Sequence, residues 1–98
     1  MNALNEQFSN YEIAILSYMM RNHYNGQDGQ IIKNNIDEHL QEIGFNDSLQ
    51  ISIAFTQLKK IEMIWQHPQN DLLFCLTEKG MNWFLENKNN LESKTLSG

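Results

Sequence analysis

The chain has 98 residues, 41% of them hydrophobic, with seven Lys and Arg against twelve Asp and Glu for a formal net charge of -5. That is room for one domain and not two, with enough apolar surface to exclude a wholly disordered chain and a global charge that repels nucleic acid and anionic membranes at long range. No stretch approaches the ~20 apolar residues of a membrane-spanning helix, residues 1–6 lack the basic region and apolar run of a signal peptide, and the lone Cys75 cannot close an internal disulfide, so a reducing, cytoplasmic setting is expected.

Ser9 followed three residues later by Glu12 is the spacing of a capping box and predicts a helix over 10–22. Tyr11, Ala14, Ile15, Tyr18 and Met19 form one apolar stripe of that helix, and Ile13, Leu16 and Met20 form a second. A helix apolar on two sides is expected to be buried on two sides. Residues 25–29 (Asn-Gly-Gln-Asp-Gly) read as a turn-rich loop. Gln30 and Ile31 read as a very short strand before a second helix over 32–43, where Ile32, Ile36, Leu40 and Ile43 recur at helical spacing. Gly44 then stands where a left-handed C-terminal cap belongs. After a tight connection, Asn46 or Asp47 can cap a third helix over 48–61, with Ile51, Ala54, Phe55, Leu58 and Ile61 facing inward. Residues 63–67 and 72–76 are two strand-forming runs separated by Pro68, Gln69, Asn70 and Asp71, so they predict an antiparallel hairpin. Thr77 caps a last helix expected over 77–87, leaving 88–98 as a polar, flexible tail. Residues 1–87 are therefore taken as the domain, with Ile15, Ile36, Leu40, Phe55, Leu58, Leu73 and Phe84 as its core.

The element order helix, strand, helix, helix, hairpin, helix is mainly α with a small β-hairpin. It resembles the winged-helix (winged helix-turn-helix) superfamily of small bacterial and phage regulators. Phe55 to Ile64 looks like the end of a recognition helix entering the first wing strand, and Leu76-Thr77-Glu78-Lys79-Gly80 is similar to the L-T-x-x-G exit from the wing. The resemblance covers about Ser9 to Asn87 and implies DNA binding, with the third helix in a major groove. On that implication Ser48, Gln50, Ser52, Thr56 and Gln57 read base edges, Lys59 and Lys60 hold phosphates, and Gln69 and Asn70 sit at the wing tip. The pattern departs from the superfamily in one respect. The third helix carries only Lys59 and Lys60, and the wing tip carries no Lys or Arg, although phosphate contacts supply most non-specific affinity.

The function expected first is a small DNA-binding transcriptional regulator acting as a homodimer. The alternative is a winged-helix protein-interaction module that binds no DNA, which the net charge and bare wing favour. Tyr11, Leu16, Met20 and Trp83 are the candidate interface residues, because aromatics and Met are enriched where proteins meet. No enzyme, metal or cofactor is expected. His23, His39 and His67 are too scattered for a zinc site, Cys75 lies within an apolar strand as an inert thiol, and Glu38 and Glu42 read as solvated charge without an acid–base partner.

Overall fold

A computed structural model of the protein describes residues 8–22 and 30–97. In chain order it contains α1 (Asn10–Asn22), β1 (Ile31–Ile32), α2 (Lys33–Glu42), α3 (Ser48–Lys60), β2 (Ile64–Gln66), β3 (Leu73–Leu76) and α4 (Glu78–Ser97). The architecture is mainly α, with one small antiparallel sheet in the order β1-β3-β2. The loop read at 25–29 and His23 lie outside the described residues.

Several helix ends are fixed by local hydrogen bonds, although α2 starts after Ile32 without a side-chain cap. The Ser9 N–H donates to Glu12 Oε1 at 2.7 Å and the Glu12 N–H donates to Ser9 Oγ at 3.2 Å, closing the capping box of α1. Asp47 caps α3 by accepting from the Leu49 and Gln50 N–H groups at 3.0 and 3.2 Å. Helix α2 ends in a Schellman turn. Phe45 N–H donates to Leu40 O at 2.7 Å and Gly44 N–H to Gln41 O at 3.1 Å, with Gly44 at φ +94°. Helix α3 ends in the same pattern, from Met63 N–H to Leu58 O and Glu62 N–H to Lys59 O. There the left-handed position is held by Glu62 at φ +64°, a conformation that a side chain disfavours.

Helix α1 packs against α2, α3, α4 and β3. Ile15, Leu16 and Met19 are fully buried, as two-sided burial requires. Ile36, Leu40, Phe55, Leu58, Met63 and Phe74 complete the centre of the core. Two expectations need correction. Leu73 is half-buried and on the outward face of β3, whereas Phe74 and Leu76 face inward. Phe84 is half-buried at the margin of the core. The run Leu72–Leu76 has no alternation of its own, so pairing with its neighbours decides which residues point in. The register is Ile64 opposite Leu76, Trp65 opposite Cys75 and Gln66 opposite Phe74, with Ile31 and Ile32 opposite Phe74 and Leu73 on the other side. The short strand thus lies one residue later than the sequence suggested. The last helix also continues to Ser97 rather than ending near 87, and residues 88–97 contain no Gly or Pro to stop it.

The junction after the hairpin explains the Thr77–Gly80 segment. Thr77 N–H donates to Met63 O at 3.2 Å. Thr77 Oγ1 donates to Glu62 O at 2.6 Å and accepts from Gly80 N–H at 3.0 Å, so one hydroxyl joins two helix ends. Lys79 Nζ donates to Ile61 O at 2.8 Å, placing a cation where the dipole of α3 is negative. Gly80 is buried directly beneath the Met63 carbonyl, which leaves no room for a side chain.

Candidate functional site

The inward face of α3 is Ile51, Ala54, Phe55 and Leu58. Its other face is open. Ser48, Gln50, Ser52, Thr56, Gln57, Lys59 and Lys60 are all exposed, so the structure places each polar residue singled out on this helix at the surface. It adds two residues that the sequence reading passed over. Leu49 is 67% exposed and Ile53 is 51% exposed. They are four residues apart and so form one ridge along the helix. The signal was present in the sequence: at 3.6 residues per turn both fall nearly opposite Ile51, outside the stripe that fills the core.

Cationic character on this surface is limited by pairing. Lys59 Nζ donates to Gln66 Oε1 at 3.1 Å, and Gln66 Nε2 donates to Asp71 O at 2.9 Å, so Lys59 leans onto the hairpin. Lys33 is bridged to Asp37 at 2.9 Å and lies 5.1 Å from the centroid of the Phe55 ring. Among the described cations of α3, Lys60 alone has no side-chain partner. At the hairpin tip Gln69 and Asn70 are exposed. Their groups hold the turn itself: Gln69 N–H donates to His67 Nδ1 at 3.0 Å, and Asn70 Oδ1 accepts from Leu72 N–H at 3.1 Å.

The four interface candidates are used inside the chain. Leu16 is fully buried and is withdrawn as a surface residue. Tyr11 packs on Phe45 with ring centroids 4.9 Å apart, and its hydroxyl accepts from Asp47 N–H at 3.2 Å. Trp83 meets Phe8 edge-on at 4.7 Å. Met20 is half-buried against the core. The physical reason is that α4 folds back onto α1 and covers part of the second stripe.

Two further polar features are structural. His39 stacks on Tyr18 at 4.7 Å and takes Arg21 at 3.1 Å, joining α1 to α2. Burial and then the Arg21 charge lower its pKa, against the opposing pull of Glu42. Burial pushes the Cys75 thiol up, which suppresses the reactive thiolate. No group of three His, Cys, Asp or Glu among the described residues is placed to hold a metal ion. No described helix is long and apolar enough to cross a membrane. Comparison with protein-family models, with curated proteins and with solved structures found no match.

Proposed function

We propose that this chain is a winged-helix module that binds a protein partner through the outward face of α3, in the position where a DNA-binding relative would present its recognition helix. The observation that carries this reading is the Leu49–Ile53 ridge, two aliphatic side chains left in water on the N-terminal half of that face. Apolar side chains gathered on one exposed face mark a surface that another molecule covers. Phosphate would gain nothing from them. The net charge of -5 repels a polyanion, and it steers instead toward a partner of opposite sign. The fitting occupant is therefore a protein with an apolar contact strip.

The exposed Ser52, Thr56, Gln57 and Lys60 favour the second reading, a DNA-binding regulator, because these residue types can contact base edges and phosphate. The two readings separate by anisotropy titration against random and genomic duplexes at low salt. The protein-binding reading expects no saturable binding. A saturable complex weakened by Lys60→Ala would establish the DNA reading instead. Its salt slope would be shallow, about -0.9 for the one phosphate that Lys60 could neutralise.

A further inference from the structure

We infer that the element docking on α3 is an amphipathic helix of the partner protein, and that it sets an acidic side chain against Lys60. The inference rests on the protein-binding reading of α3 and names the chemistry of what binds there. Leu49 and Ile53 begin a row of residues four apart that Gln57 continues. Ser48, Ser52, Thr56 and Lys60 form the neighbouring row, and all seven residues are exposed. Rows at this spacing are the ridges and grooves by which helices pack on one another. Here the first row stands high, on two branched aliphatic side chains at 67% and 51% exposure. The second row is low, with two Ser and one Thr, until the long side chain of Lys60 ends it. The outward face of α3 is therefore a shallow channel with an apolar wall along its N-terminal half and a cation at its C-terminal end.

Charge selects the occupant. From Ser48 to Leu58 the helix contains no Asp, Glu, Lys or Arg. Depletion of charge is the mark of the desolvated centre of a protein interface, whereas a duplex needs cations spread along the face to meet its phosphates. Lys59 is turned onto Gln66 of the hairpin, which leaves Lys60 as the cation of this face without a described side-chain partner. The complementary surface presents apolar side chains to the channel beside Leu49 and Ile53, and one Asp or Glu to Lys60. A helix supplies both, because its own side-chain rows have the spacing of the channel, and apolar anchors at i and i+4 are how such a helix is read. Ile53 and Lys60 are seven residues apart, about 10.5 Å along the axis, so the acidic residue lies about two turns from the apolar pair. This contact is local. Long-range steering by the net charge acts on the partner as a whole.

The test places a photoreactive amino acid at position 53 of the full chain, irradiates the cells that express it, and compares adduct yield across charge variants. Lys60→Glu should lower the yield of the protein adduct roughly tenfold, as reversal of one member of an interfacial charge pair does. Lys60→Arg should restore it. Lys59→Glu changes the net charge by the same amount one residue away and should leave the yield within about twofold, which separates the local contact from steering. Urea midpoints of the three variants show that each is folded. Mass spectrometry of the cross-linked peptide should place the attachment in a segment with apolar residues four apart and an Asp or Glu about two turns away. An adduct at position 53 that survives Lys60→Glu unchanged, or that falls equally in Lys59→Glu, would overturn this inference and leave the protein-binding reading standing. So would attachment in a segment that lacks the acidic residue. Nucleic acid at position 53, or no protein adduct in any version, would overturn both.

Discussion

Replacing Gly80 by Ala tests the junction that fastens α4 to the end of α3. A Cβ at this position would lie within 3.0 Å of Met63 O, a separation that real Cβ atoms essentially never show, and 3.2 Å from Leu76 Cδ2. The Met63 carbonyl cannot easily retreat. Its own N–H is fixed to Leu58 O at 3.0 Å, and its oxygen already accepts from Thr77 N–H at 3.2 Å. The start of α4 must therefore shift, which strains the Thr77 Oγ1 bond to Glu62 O as well. Overpacking of this kind costs about 1–3 kcal/mol, and each hydrogen bond lost adds about 1 kcal/mol. Ala in place of Gly in a helix returns at most about 1 kcal/mol. The balance is a net loss of about 2–4 kcal/mol, or a fall in Tm of roughly 10–25 °C for a domain of this size. Urea denaturation followed by circular dichroism measures it directly. A variant as stable as wild type, or more so, would refute the argument that Gly80 is required by the Met63 carbonyl.

Phe55 is 4% exposed and packs on Phe74 with centroids 5.1 Å apart, so Phe55→Ala should cost about 3–5 kcal/mol; an unchanged urea midpoint would contradict this. Ser9→Ala removes half of the capping box and should cost about 1 kcal/mol, whereas a loss below the error of the same assay would show that the box contributes nothing. Glu62→Gly relieves the left-handed strain at φ +64°, worth roughly 1–2 kcal/mol before the added flexibility of the unfolded chain is subtracted, so its midpoint should rise. His39 has a folded pKa below its ordinary 6.5. Between those two values the unfolded chain binds the extra proton, so the contribution of His39 is full above about pH 6.5 and is lost as pH falls through the folded value. His39→Gln should flatten the decline in urea midpoint from about pH 7.5 to pH 5; identical slopes in variant and wild type would show that His39 is not responsible.

The parts of the fold legible in the sequence were those fixed by local chemistry. The Ser9–Glu12 box, the Gly44 cap, the Asp47 cap and the turn after His67 each depend on residues within one turn of chain. The parts that were not legible depend on neighbours far along the chain. Leu72–Leu76 is apolar throughout, so only pairing with β1 and β2 shows that Phe74 and Leu76 point inward and Leu73 does not. The two stripes of α1 announce burial on two sides, but nothing local says that α4 is the element that returns over the second stripe, so Leu16 and Met20 also read as interface candidates. On the candidate site, all the polar residues chosen on α3 do reach solvent. Lys59 was read as a phosphate contact, and its turn toward Gln66 is a tertiary matter. Leu49 and Ile53 were legible, because a helical wheel sets them apart from Ile51, Ala54, Phe55 and Leu58.

Site-specific photo-cross-linking at position 53 tests the central proposal most directly. Ile53 is replaced by a photoreactive amino acid in the full chain, and a second version carries it at exposed Glu38 on α2 as a control. After irradiation in the cells that express the protein, the adducts are identified by mass spectrometry. The proposal expects one recurrent protein adduct at position 53, absent from the Glu38 version and lost when Leu49→Asp is added. That substitution should leave stability within about 0.5 kcal/mol, as exposed positions do. Nucleic acid cross-linked at position 53, or the same set of adducts at both positions, would contradict it.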